Sequence, residues 1–257
     1  MRLHKRYHHT DGYTRLVERG EMGLTRLEFG MLNLRAGGAF FEDTADNEVA
    51  LIVLSGRCEL LVGHNGNKAH GIIGERPTVF HGEAYRAYIP HRTTYELLAH
   101  AAPVEVAICK ASSHLETAAA ILDPGDDFDK SGHTLIIGET PIPFISGEAI
   151  CFYRFDSVEG CANQRIHNDD RSFDQVISAR HNDVLALPQG YHAVSLESRG
   201  RLYCLWISFG GNEPIDPRKI RVSHNIGLTH LKGKRLVVRR FIAVRTRNEL
   251  RDYEPGA

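Results

Sequence analysis

The segment Asn182-Asp-Val-Leu-Ala-Leu-Pro-Gln-Gly-Tyr-His192-Ala-Val carries the sharpest chemical signal in the 257 residues. An apolar run ends in the Pro188-Gln-Gly190 turn, and the strand that follows begins with an imidazole, a side chain suited to metal binding or to moving a proton near neutral pH. A metal would need three or four ligands converging from neighbouring strands. The chain holds fifteen histidines, yet no His-x-His, the spacing that sets two imidazoles on one face of a strand. A hydrogen-bonded histidine in a polar pocket therefore stands as an equal reading of His192. A second group is Arg165, His167, the turn Asn168-Asp-Asp-Arg171 and Tyr191. The guanidinium forks of Arg165 and Arg171 match a substrate carboxylate, and His167 could act as a replacement ligand or base. The same residues also read as an ordinary turn braced by arginines, since Asn and Asp favour turns for local reasons.

What must position these groups is mostly β structure. Short runs rich in β-branched and aromatic residues recur, among them Thr25 to Leu34, Val49 to Leu54, Val104 to Cys109, Ala149 to Phe155, Asp183 to Leu187 and Arg201 to Phe209. Alternating strands at this spacing need a second sheet to cover their inner face, which predicts sandwiches or barrels. One helix is expected. Ser113-His-Leu-Glu116 has the capping-box spacing, Thr117 to Leu122 favours helix, and Asp123-Pro-Gly125 stops it. With the polar stretch up to Gly132, this divides the chain into an N-terminal barrel (1–112), a helix and linker (113–132) and a C-terminal barrel (133–257). The two halves echo each other weakly, Ala87-Tyr-Ile-Pro-His-Arg-Thr-Thr-Tyr95 against Asp183 to His192.

Composition narrows the partners. Lys plus Arg (31) balances Asp plus Glu (32), so neither nucleic acid nor an anionic membrane is favoured. No apolar run nears the roughly 18 residues of a membrane helix. The basic opening Met1 to Arg6 leads into polar Tyr7 to Gly12 rather than the apolar stretch of a signal peptide. Five cysteines without CxxC spacing, mostly inside apolar runs, read as reduced buried thiols, with Cys161 between Gly160 and Ala162 the most exposed. A cytoplasmic location is expected. The alternating basic stretch 235–247 reads as an edge strand or a self-association contact, and a homo-oligomer is compatible with it.

Several ordered motifs carry a resemblance. The Pro-x-Gly turn followed by His192 resembles the second sequence motif of cupins. Asn33 to Glu42, Asp46 to Arg57, Ile73 to Phe80, Ile89 to Tyr95, Asn163 to Asp174 and Asp183 to His192 together resemble the bacterial 5-deoxyglucuronate isomerases of inositol catabolism. The likeness spans about residues 20–110 and 145–210. It implies a mainly β bicupin, two tandem barrels of which the first lacks a metal and the second holds the active site. It also implies conversion of a 5-deoxy uronic acid into its 2-keto isomer, with a small-molecule sugar acid as partner. In that frame His192 and His167 are the catalytic candidates, Arg165, Arg171 and Tyr191 the substrate-binding ones, and His192 and Glu148 the ligands of one divalent transition metal.

The departures matter as much. The family's His-x-His segment has no counterpart between Thr134 and Arg154, and one glutamate of a pair has become Ala149. Strand neighbours face opposite sides, so if the second glutamate was the ligand, Glu148 points the wrong way. The competing reading is a non-catalytic bicupin that binds a sugar acid and has lost its metal site. In the first half Glu48 and Tyr95 occupy ligand-like places in isolation and are expected to be structural, and Glu75-Arg76 to form a surface or interbarrel salt bridge.

Overall fold

The run Asn47 to Ser55 lacks polar alternation because, as strand β5 (Asn47–Ser55), it is buried on both faces. Val49, Leu51 and Val53 point into one barrel beside Leu32, Leu97 and Val106. Ala50, Ile52 and Leu54 point the other way, into a core shared with Phe152, Leu205 and Ile207 from the far end of the chain. A computed structural model describes residues 3–64, 67–124, 135–138, 144–145, 147–168, 170–187, 190–197 and 200–209.

Two barrels result, each made of two facing sheets. In the first, β2 (Gly12–Val17), β3 (Leu27–Leu34), β5, β8 (Arg86–Ile89), β10 (Val104–Ser112) and β11 (Ala120–Leu122) are ordered β11-β8-β5-β10-β3-β2. They face a sheet ordered β4-β9-β6-β7, built from β4 (Ala39–Asp43), β6 (Cys58–His64), β7 (Asn67–Ile73) and β9 (Thr94–Leu98). The second barrel pairs β1-β17-β14-β19-β12 with β13-β18-β15-β16. Its strands are β1 (His4–Arg6), β12 (Leu135–Gly138), β13 (Phe144–Ile145), β14 (Glu148–Phe155), β15 (Cys161–His167), β16 (Asp174–Arg180), β17 (Asp183–Leu187), β18 (Gly190–Leu196) and β19 (Leu202–Phe209). The mainly β, bicupin-type architecture expected from the sequence is thus present.

The barrels meet sheet against sheet. Phe29 of β3 lies 5.9 Å from the ring of Phe152 on β14, and Tyr7 meets the same ring edge-on at 6.4 Å. Polar clasps ring this apolar seam. Arg154 pairs with Glu105 at 2.5 Å, and Arg76, almost wholly buried, donates to the Val53 carbonyl (3.1 Å) and the Tyr203 hydroxyl (3.4 Å). Arg76 therefore does cross between barrels, through hydrogen bonds. The first strand crosses too: β1 adds to the second barrel's sheet by pairing with β17, His4 opposite Leu185. Arg6 clamps the fully buried Asp183 carboxylate with two bonds of 2.7 and 3.2 Å, the bidentate geometry that compensates burial of such a charge.

The expected helix over Ser113–Leu122 does not form. Residues 113–119 are irregular and Ala120–Leu122 is strand β11, antiparallel to β8 with Ala120 opposite Tyr88. Both halves of the capping box are spent elsewhere. The Ser113 amide donates to the Asp46 carbonyl at 3.1 Å, its hydroxyl accepts from Leu115 at 3.2 Å, and Glu116 faces His91 at 3.6 Å. An isolated helix of about ten residues is marginal, whereas the open edge of β8 offers a ladder, so pairing overrides propensity. The cysteines are all free, four buried and Cys161 the least so, as expected. Among the described residues no helix is long and apolar enough to cross a membrane.

Two outcomes follow from this seam. Phe152→Ala should cost about 3–5 kcal/mol of unfolding free energy, read as a lowered urea midpoint. His181 bonds the Phe155 carbonyl at 2.9 Å, and burial first, then nearby Arg154, lowers its pKa from the ordinary 6.5. The unfolded chain binds that proton more readily, so this contribution is full above about pH 6.5 and is lost as pH falls below it. His181→Gln should flatten that part of the stability profile.

Candidate functional site

Alternation along β14, β15, β18 and β19 decides which side chains the second barrel encloses. Phe152 and Tyr203 face the first barrel through Phe29 and Arg76. Their neighbours Cys151, Tyr153, Cys204 and Trp206 therefore face inward, with Cys151 opposite Trp206 and Tyr153 opposite Cys204. From the facing sheet, Ala162, Gln164 and Ile166 line the interior, all essentially without exposure. His192 stands opposite Ile166 and shares that inner face, 3% exposed. Because β16 lies against β14 and β17, the order β13-β18-β15-β16 leaves β18, and His192 with it, on the β19 side.

A glycine fixes this placement. Gly190 has φ +142°, and a Cβ there would sit 2.6 Å from the His167 carbonyl oxygen. Only glycine lets β18 close onto β15 at that end and so sets the register that delivers His192.

The described interior carries neutral polar groups on β14 and β15, and the buried carboxylate on the inward parity of β17, Asp183, is taken up by Arg6 and by His4 at 3.0 Å. Tyr153 donates its hydroxyl to Gln164 Oε1 at 2.5 Å. Burial, with the Cys151 and Cys204 thiols alongside, holds the phenol well above its usual range. Burial and the adjoining Cys204 do the same to Cys151, which therefore stays a thiol at neutral pH. Among the described residues no three of His, Cys, Asp or Glu converge as a metal-holding group. The described residues alone therefore supply at most part of a site for the expected divalent transition metal.

The remaining sequence-derived candidates lie elsewhere. Tyr191 and His167 are register partners on the outer face of the sheet, their rings stacked at 5.1 Å and 17°. Arg165, also outward, clamps Asp174 with bonds of 2.8 and 2.5 Å, and Arg171 reaches the same carboxylate at 3.9 Å. The Arg165 guanidinium holds the Asp174 carboxyl below its ordinary value. Glu148 accepts from the backbone amides of Thr25 (2.6 Å) and Leu27 (2.7 Å), pinning the start of β3. His192 is thus separated from His167, Arg165, Arg171 and Tyr191 by the thickness of a sheet. In the first barrel, buried Glu48 accepts from Tyr88 (3.1 Å), while Tyr95 donates to Glu42 (2.5 Å), whose other oxygen takes Lys110. Tyr153, Gln164 and Trp206 escaped the sequence reading. Their signal was a polar or hydrogen-bonding side chain on the inward parity of an apolar strand.

A model of the KduI/IolB family matches residues 3–132 and 145–224. Curated relatives include the 5-deoxy-glucuronate isomerase of Bacillus subtilis strain 168, 22% identical over 227 residues, with 73% of this chain and 82% of the relative covered. That of Geobacillus thermodenitrificans is 23% identical over 206 residues, covering 65% of this chain and 74% of the relative. Among solved structures, an IolB-like protein from Salmonella typhimurium LT2 superposes with a TM-score of 0.70 at 20% identity, over 82% of this chain and 93% of that one. Bacillus subtilis oxalate decarboxylase gives a TM-score of 0.55 at 10% identity, over 81% and 77%, and a further structure of that protein concerns its Mn(II) centres.

Inner and outer positions should respond differently to substitution. Tyr153→Phe strands the Gln164 carbonyl and should cost about 1–3 kcal/mol, whereas Arg165→Ala, removing an exposed pair, should leave the urea midpoint nearly unchanged.

Proposed function

The chain belongs to the KduI/IolB family, and from that premise we propose that it is an aldose–ketose isomerase acting on a 5-deoxy uronic acid. The observation that carries the reading is His192, an imidazole on the inner wall of the barrel, its strand locked by Gly190. The reaction moves one proton between adjacent carbons. A base removes it from the carbon beside the aldehyde, and electron density shifts to the aldehyde oxygen to give an enediolate. Returning the proton to the former aldehyde carbon, while the neighbouring hydroxyl's own proton passes to the former aldehyde oxygen, leaves the ketone beside a new hydroxyl. The first carbon is reduced and the second oxidised, so no external oxidant enters.

His192 is the group assigned to carry that proton, since imidazole both accepts and returns protons near neutrality. The buried walls exclude water, which strengthens hydrogen bonds to the developing oxyanion. Arg165, Arg171, Tyr191 and His167 are assigned to bracing the outer face, a reading supported by the Arg165 fork on Asp174. Glu148 is assigned to holding β3 rather than a metal. The free, mostly buried thiols support the cytoplasmic setting of a sugar-acid catabolic enzyme.

The second reading, a non-catalytic bicupin that binds a sugar acid, is favoured by one observation, that among the described residues no three metal-ligating side chains converge. Turnover of 5-deoxy-glucuronate separates the two. We expect ketose formation, with His192→Ala lowering kcat/KM by about 10²–10⁴ and Arg165→Ala leaving it close to wild type. Turnover that survives chelation assigns the enediolate to the chain's own donors. Loss on chelation, restored by a divalent cation, assigns it to a metal held by His192 together with residues outside those described. Binding of the sugar acid without turnover under either condition establishes the second reading.

A further inference from the structure

Trp206 is the single tryptophan of the chain. It sits on β19 opposite Cys151, on the parity that faces the barrel interior, 9% exposed. Its indole Nε1 is buried and has no hydrogen-bond partner. An orphaned buried donor bears an uncompensated desolvation cost, which the large majority of buried side-chain polar atoms avoid. A side chain that only filled space would serve better as phenylalanine. The neighbouring donor is committed, since Tyr153 already bonds Gln164. The uncommitted N–H lies on β19, the strand whose side of the barrel also holds His192.

We infer that Trp206 is a substrate-binding residue whose Nε1–H donates to an oxygen of the sugar acid held in the second barrel. The identity of the ligand rests on the isomerase reading; the donor itself rests on the orphaned indole. The N–H suits either a carboxylate or a hydroxyl oxygen, and the flat apolar ring beside it offers a surface for the C–H face of a sugar. The group contributes binding and orientation and moves no proton.

Being the sole tryptophan, it reports on itself. The intact wild-type chain is titrated with D-glucuronate and, separately, with D-glucose, following tryptophan emission and, in parallel, the heat of binding. Saturation with glucuronate is expected to change the emission. Trp206→Phe, which keeps a ring and removes the donor, is expected to bind glucuronate about tenfold more weakly by calorimetry, equivalent to about one hydrogen bond, with its melting curve as the check on folding. Glucose binding that weakens equally in the variant assigns the acceptor to a hydroxyl; weakening confined to glucuronate assigns it to the carboxylate. Wild-type binding without an emission change, or a variant affinity within about twofold of wild type, overturns the inference while turnover leaves the isomerase reading standing. A wild-type chain that neither binds glucuronate nor converts 5-deoxy-glucuronate overturns both.

Discussion

Two antiparallel sheets lying face to face between the barrels are buried on both sides, and this double burial governs most of the molecule. β3, β5 and β10 each turn one set of side chains into the first barrel and the other onto the seam, so Ala50, Ile52 and Cys109 are as dry as Val49, Leu51 and Ile108. β14 and β19 do the same from the opposite side. The seam side is largely apolar, its buried polar groups being paired ones such as Tyr203 with Arg76 and Glu48 with Tyr88, so other polar side chains in these strands point into a barrel or sit at the rim. Tyr153 and Trp206 obey the first condition, and Glu105, Arg154 and Glu148 the second.

The same alternation limits the chemistry. In the sheet carrying His192, each step along β15 or β18 changes the face, so the apparent cluster in the sequence from Asn163 to Asp174 is divided between inside and outside. Gln164 and Ile166 go in; Arg165 and His167 go out. Closeness in sequence therefore opposes closeness in space, and a barrel site gathers from alternate positions on several strands. The inner wall so assembled sets His192 among apolar side chains and neutral hydrogen-bonding groups such as Tyr153 and Gln164, while the buried Asp183 carboxylate is held by Arg6.

Much of the fold was legible because period-two patterns and turn residues are local signals. The runs at Val49 to Leu54 and Arg201 to Phe209 became β5 and β19, and the second cupin-like motif became β17 and β18. The stretch from Ser113 to Leu122 was misleading, since a capping box and alanines record local preference while the partner that decided the outcome, the edge of β8, lies about thirty residues upstream. Of the site, His192 was legible from its turn. Parity also warned that Glu148 faces away from an inward position, and it ends on the amides of Thr25 and Leu27. Trp206 was silent, because an aromatic residue in an apolar strand looks like ordinary core until its N–H is seen to lack an acceptor.

The pairing of β1 with β17 gives biosynthesis a direction. Arg6 and Asp183 are 177 residues apart, so at roughly 5–20 residues per second the opening strand leaves the ribosome about 10–35 s before its partner exists. During that interval His4 to Arg6 have no β17 to pair with. The second barrel's sheet is thus completed by a strand made 177 residues before its partner, so its closure waits on chain that the ribosome released long before.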